Sequence, residues 1–227
     1  MNYNLLLFDA DGTLFDYDRA EKYALAEAFL QFRIDWQENF LHEYRMINDS
    51  MWKEFEKGLV TIKEVKLKRF TNLFEKLSLR LDADDFSKKY LEFLSRAGFL
   101  IHGSLEIINS FINRCEIAII TNGIKKVQES RFANSPLVKI IQNLFISDAI
   151  GIAKPDKKIF SFVLNQLKHE SLNDVLMIGD SLTSDIQGGI NASIDTCWYN
   201  PEKKLNNKNI VPTYEIQNLN ELKKIIK

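Results

Sequence analysis

The chain has 227 residues, enough for one ordinary domain or a core with a small second unit, and enough to bury a core without staples. Hydrophobic residues make up 45% and charged residues 27%, and 30 basic residues against 31 acidic ones leave a net charge of −1. That balance excludes a global basic field for a nucleic acid polymer, so any nucleotide binding is local.

Leu5-Leu6-Leu7-Phe8 opens the chain as a four-residue apolar run bounded by turn residues. It reads as a strand buried on both faces, the kind found in parallel sheets. The run is too short for the apolar part of a signal peptide, and no other run approaches the ~18 residues of a membrane span. The strand leads directly into Asp9-Ala10-Asp11-Gly12-Thr13. Two acids one residue apart at a strand end lie where open α/β sheets place their ligand sites. Gly12 lets the backbone turn there.

From about Asp18 to Leu94 the pattern is helical with no strand. The stretch is too long for a loop and predicts a small helical cap inserted after the first strand. Thr61 followed by Glu64 forms a capping box, and Gly58 suits the stop of the preceding helix. On a helix from Ile62 to Lys76, the apolar stripe Ile62, Val65, Phe70 and Leu73 includes Arg69. An unpaired charge there is costly, so Arg69 is expected to face a cleft between cap and core, paired with an acid or with substrate. Asn48 and Trp52 lie four apart on the preceding helix. They can meet a base by hydrogen bonding and stacking, or simply pack the cap. Hinges are expected near residues 15–18 and 96–103.

Beyond Gly103 helices and strands alternate. Residues 104–114 read as a helix, followed by the strand Ile117-Ala118-Ile119-Ile120, which ends in Thr121-Asn122-Gly123. A helix over Lys125–Ala133 follows, then a strand at Leu144-Phe145-Ile146-Ser147. Lys154-Pro155 precedes a helix over 156–167, since Pro suits the first helical turn. Val175-Leu176-Met177-Ile178 ends in Gly179-Asp180-Ser181, with Asp185 five residues beyond Asp180. Residues 196–199 read as a short fifth strand, and residues 218–227 as a closing helix with Asn218 as N-cap and Glu221 three residues on. The alternation predicts a doubly wound parallel sheet.

Cys115 and Cys197 form neither a disulfide framework nor a metal-ligand pattern, and like Trp198 they read as core. His42, His102 and His169 stand outside every motif. A cytoplasmic protein with free thiols is expected.

Singly, Thr-Asn-Gly is an ordinary turn and Gly-Asp-Ser an ordinary N-cap region. In this order, each after a buried strand or before a helix, the motifs resemble the haloacid dehalogenase (HAD) superfamily in its phosphatase branch. The carriers are Asp9-Ala10-Asp11-Gly12-Thr13, Thr121, Lys154 and Gly179-Asp180-Ser181-Leu182-Thr183-Ser184-Asp185. The stretches around Thr121, Lys154 and 185–192, with Thr196-Cys197-Trp198-Tyr199-Asn200, are similar to the pyrimidine 5'-nucleotidases of that superfamily.

The resemblance implies a Rossmann-like core of residues 1–15 and 97–227 and a helical cap of residues 16–96. It also implies a small-molecule phosphate monoester as substrate, a nucleoside monophosphate above all. A monomer or weak dimer is expected. Asp9 is the expected nucleophile on phosphorus, and Asp11 the general acid and then base. A dehalogenase expels halide, which needs no proton and has no use for Asp11. Asp9, Asp180 and the main-chain carbonyl of Asp11 are expected to hold Mg²⁺, because three acids without a strong cation would repel one another. Asp185 supports that shell or caps the next helix. Thr121, the main-chain N–H of Asn122 and Lys154 are expected to bind the phosphoryl oxygens, with Lys154 also stabilising the charge that develops in transfer. A sugar-phosphate phosphatase, a phosphoglucomutase-like phosphotransferase and a catalytically silent phosphate-binding protein are the competing readings.

Overall fold

The computed structural model describes residues 3–226. Among them, six strands form one sheet: β1 (Leu5–Phe8), β2 (Glu116–Thr121), β3 (Asn143–Ile146), β4 (Val175–Gly179), β5 (Asp195–Tyr199) and β6 (Tyr214–Ile216). Their order is β3-β2-β1-β4-β5-β6, and every pairing is parallel. The order reverses at β1, which pairs β2 on one side and β4 on the other. Open α/β sheets bind their ligands at such a switch point, outside the carboxyl ends of the strands.

Alternation along β1 sends its side chains to two separate cores. Leu6 and Phe8 join Ile107, Ile108 and Phe111 of the helix α5 (Ser104–Phe111, in chain order after the four described next). Leu5 and Leu7 meet Ile159, Phe160 and Val163 on the opposite face. All four β1 side chains are fully buried, each stabilising by roughly 1.5–3 kcal/mol.

Between β1 and α5 lie α1 (Tyr17–Gln31), α2 (Glu38–Glu56), α3 (Ile62–Leu77) and α4 (Ala83–Arg96), with no strand among them. They bury a core of their own, rich in aromatic rings: Phe29, Phe40, Tyr44, Phe70, Phe74, Phe86 and Tyr90. The start of α3 is capped as the sequence suggests. Thr61 Oγ1 accepts from Glu64 N–H, and Glu64 Oε2 accepts from Thr61 N–H at 2.8 Å. Gly58 follows the end of α2 with φ +70°. The segments leading into and out of the insert lie side by side. Asp16 N–H donates to Phe99 O (3.0 Å) and Ile101 N–H to Leu14 O (2.9 Å).

The remaining helices are α6 (Lys125–Ala133), α7 (Ser147–Ile150), α8 (Lys157–Gln166), α9 (Gln187–Asn191) and α10 (Leu222–Ile225). A five-residue π-type turn, Leu182–Ile186, precedes α9. No helix among the described residues is long and apolar enough to cross a membrane.

Several boundaries differ from expectation. The helix read over 104–114 stops at Phe111, because the chain turns at 112–115 to start β2. The expected closing helix is a 3-10 turn, Leu219–Glu221, followed by the single turn of α10, and Lys227 lies outside the described residues. Its cap is present: Glu221 Oε1 accepts from Asn218 N–H at 2.8 Å. The strand β6 was not anticipated. It is three residues long at the sheet edge, too short to show a pattern of its own.

Candidate active site

Asp9 follows the last residue of β1, in register with the ends of β2 and β4. Lys154 reaches it from the loop before α8. Its Nζ has three acceptors, Asp9 Oδ1 at 2.6 Å, Asp185 Oδ1 at 2.6 Å and Ile120 O at 2.7 Å. All three ammonium donors are therefore used, which is what permits a lysine to be fully buried. The two carboxylates hold its pKa above the ordinary lysine value. Asn122 fixes the backbone beneath it: Asn122 Nδ2 donates to Lys154 O (2.8 Å), and Asn122 Oδ1 accepts from Lys154 N–H (2.9 Å). The Asn122 side chain is thus committed to placing Lys154, leaving its main-chain N–H as the group expected on phosphate. Thr121 ends β2, buried, with Oγ1 accepting from Gly123 N–H at 3.1 Å.

Asp180 and Asp185 arrive from the end of β4. Ser181, not Asp185, caps the π-type turn, its hydroxyl accepting from Ser184 N–H at 3.2 Å. Asp185 instead turns inward, with Oδ1 on Lys154 and Oδ2 accepting from Ser181 N–H at 3.0 Å. Of its two sequence readings, the helix cap does not hold, because the carboxylate faces Lys154 instead. Asp180 has no ion-pair partner among the described residues. Gly12, at φ +83°, passes so close that a Cβ there would stand 2.5 Å from Asp180 Oδ2. Only glycine fits both the dihedral and the space.

Carboxylate oxygens of Asp9, Asp180 and Asp185 all lie within 4.8 Å of one another. Burial and the neighbouring carboxylates push Asp9 upward, against the pull of Lys154, and push Asp180 up to about 7. One lysine does not neutralise three acids. An all-oxygen donor set with an uncompensated carboxylate fits a hard divalent cation such as Mg²⁺. Asp9 and Asp180 are the residues with carboxylate oxygens left for it.

Asp11 behaves differently from the other acids. Its Oδ1 receives Arg131 Nη1 and its Oδ2 receives Gln128 Nε2, both from α6. Neither partner was singled out in the sequence. The signal was available, since Arg131 and Gln128 interrupt the buried face that α6 makes with Val127 and Phe132, the same reasoning that selected Arg69.

The cluster opens on a pocket of about 260 Å³ whose far wall is the helical insert: Tyr17, Asn48, Asp49, Trp52 and Glu56. Two of these, Asn48 and Trp52, are sequence candidates. A second cavity of about 450 Å³ shares Asp11, Asp180, Tyr17 and Asp49. Glu56 bridges the cleft, accepting from Thr183 Oγ1 at 2.9 Å, and Lys66 meets Asp148 across it at 3.6 Å.

Arg69 does not line the pocket. It is buried among the insert helices with its guanidinium 4.9 Å from the ring centroid of Tyr90 and 5.0 Å from that of Phe70. Nη1 donates to Asn48 Oδ1 at 3.1 Å, while Nε and Nη2 have no hydrogen-bond partner. No ion pair includes it among the described residues. The expectation of an acid or substrate partner in the cleft is corrected accordingly. Aromatic faces take the place of the acid, because ring quadrupoles attract a desolvated cation. Arg69→Ala is expected to destabilise by about 2–5 kcal/mol, as other large-to-small core changes do. Arg69→Met fills the space without the charge and should melt within a few degrees of wild type or above it. Activity on nucleotides and on p-nitrophenyl phosphate should then move together. A normally stable Arg69→Met that loses nucleotide turnover alone would place the arginine on the substrate.

A parallel sheet with three acids and a buried lysine at its switch point, closed by a helical insert, defines a hydrolase of the HAD type. The family model of haloacid dehalogenase-like hydrolases matches residues 3–193, and the chain belongs to that family. It is 35% identical over 223 residues to pyrimidine 5'-nucleotidase PynA of Streptococcus pneumoniae, covering 98% of this chain and 94% of PynA. It is 30% identical over 226 residues to pyrimidine 5'-nucleotidase YjjG of Escherichia coli, covering 100% of this chain and 99% of YjjG. The crystal structure of the HAD-hydrolase YfnB of Bacillus subtilis, bound to magnesium and showing interdomain movement, superposes with a TM-score of 0.95 at 36% identity over 100% of both chains.

Proposed function

We propose that this enzyme hydrolyses phosphate monoesters with Mg²⁺, and that pyrimidine nucleoside 5'-monophosphates are its substrates. The observation that carries the reaction class is the pair of acids after β1. Asp9 sits in the carboxylate cluster, and Asp11 stands apart from it, lining both cavities. The full-length likeness to PynA and YjjG supports the nucleotide substrate, and Trp52 on the far wall suits stacking on a base, whereas the buried Asn48 is held by Arg69 within the insert.

One carboxylate oxygen of Asp9, which Lys154 holds through Oδ1, is the attacking atom, and the other is left for the metal. The attacking oxygen forms a bond to phosphorus as the ester P–O bond breaks, and the leaving oxygen takes the proton of Asp11, which enters this step as the carboxylic acid and leaves it as the carboxylate. Water then attacks the aspartyl-phosphate. Its proton passes to Asp11, the Asp9–phosphorus bond breaks, and phosphate leaves. Thr121 and Lys154 face the charge on the phosphoryl oxygens. Mg²⁺ held by Asp9, Asp180 and the Asp11 carbonyl would neutralise phosphate charge and screen the carboxylates from one another.

Residues 16–96 are proposed to act as a cap over a core of residues 1–15 and 97–227, turning on the paired segments at Leu14–Asp16 and 99–101. The buried free thiols of Cys115 and Cys197 suit a reducing compartment, the cytoplasm.

The test is phosphate release from a panel of nucleoside 5'-monophosphates and sugar phosphates. Pyrimidine nucleotides should be turned over fastest, and EDTA should reduce the rate to background until Mg²⁺ is restored. Release of no phosphate from any monoester with Mg²⁺ present would exclude the reaction class. Faster turnover of sugar phosphates would exclude the nucleotide substrate.

A further inference from the structure

Arg131 is fully buried and makes three different contacts. Nη1 donates to Asp11 Oδ1, Nε donates to Ala97 O at 3.1 Å, and the guanidinium lies 5.0 Å from the centroid of the Phe15 ring. Phe15 lies on the segment entering the helical insert and Ala97 on the segment leaving it. Phe15 also bridges Leu100, so the two segments are joined at this point. One side chain therefore touches the acid and both crossings at once. Gln128, three residues earlier on the same helix, completes the hold by donating to Asp11 Oδ2. Its amide fits against the loop after β2 only because residue 123 is glycine. A Cβ there would stand 2.2 Å from Gln128 Nε2.

Arg131 Nη2 is buried without a partner. Burying an incompletely paired guanidinium is costly, and a hydrophobic residue of similar size would often be as stable. What an apolar residue could not supply is a charged donor to the Asp11 carboxylate joined to a second donor on the Ala97 carbonyl. Placement matters for a proton-transfer group, because a misplacement of about 1 Å can cost on the order of 10²-fold in rate.

We propose that Arg131 and Gln128 are positioning residues that set where the Asp11 carboxyl stands and tie that position to the two segments on which the cap turns. This rests on the reading of Asp11 as the acid–base group of a phosphatase. Neither residue touches the reacting atoms. Each acts through Asp11, and the cap crossings act through Arg131.

Gln128→Met removes the donor to Oδ2 while keeping length and the Arg131 contacts. Arg131→Lys keeps a charge but cannot reach Asp11 and Ala97 O together. For each variant kcat/KM is measured on a nucleoside 5'-monophosphate, whose leaving alkoxide needs a proton, and on p-nitrophenyl phosphate, whose leaving group scarcely does. Gln128→Met is expected to lower the first roughly tenfold and the second less than about threefold, with Arg131→Lys larger in the same direction. Both effects should vanish in an Asp11→Asn background. Equal losses on the two substrates, no loss on either, or losses that persist with Asp11→Asn would overturn the proposal. If Arg131→Lys does not fold, Gln128→Met decides alone. The underlying reading is checked separately by Asp11→Asn itself. A loss independent of leaving group in that variant removes the acid role, and the positioning role falls with it. A leaving-group-dependent Asp11→Asn beside a leaving-group-independent Gln128→Met sinks the positioning role alone.

Discussion

Replacing Asp9 by Asn is expected to lower kcat by at least roughly four orders of magnitude while leaving the fold intact, the scale seen when a covalent nucleophile is removed. The amide is almost the same size and keeps an oxygen that can accept from Lys154 Nζ, now 2.6 Å away. It also removes one of three mutually repelling carboxylates, whose oxygens lie within 4.8 Å. Thermal stability in EDTA should therefore be equal to wild type or higher. The variant should form no covalent phosphoryl adduct when wild type, quenched in acid during turnover, shows one by intact-mass measurement. Substantial residual turnover, or an adduct that survives the substitution, would take the nucleophile role from Asp9.

Much of this site is legible in the sequence because the chemistry is carried on strand ends. A buried parallel strand must be apolar throughout, so Leu5–Phe8 and Val175-Leu176-Met177-Ile178 stand out, and the first polar residues after them mark the ligand edge. That logic reaches Asp9, Thr121 and Asp180 without tertiary knowledge. It does not reach the partners, because pairing is a matter of helix face rather than of neighbours in the chain. Arg69 and Arg131 raise the same sequence signal, a cation on an apolar helical face. One is enclosed by the aromatic rings of the insert and the other reaches Asp11. Nothing in either helix alone distinguishes the two outcomes. The edge strand β6 escaped notice for a different reason: three residues are too few to show a period.

Lys154→Met is expected to damage fold and catalysis together, and the two losses can be separated. Lys154 is the cation between Asp9 and Asp185, both buried and each 2.6 Å from its Nζ. Removing it leaves two carboxylates without their partner, a change that costs about 3–5 kcal/mol in buried pairs. At this chain length that lowers Tm by about 10 °C. Because the loss is one of uncompensated negative charge, a second change that removes negative charge should restore stability. Lys154→Met with Asp185→Asn is therefore expected to melt above Lys154→Met alone. Millimolar Mg²⁺ should raise the Tm of Lys154→Met more than that of wild type, since a dication among the same acids offsets the missing ammonium. Activity should recover in neither case, because the cation proposed to face the phosphoryl oxygens is still absent. A double variant that regains turnover along with stability would reduce Lys154 to a structural counter-ion. A Lys154→Met protein as stable as wild type in EDTA would mean that the carboxylates take up protons instead of repelling one another.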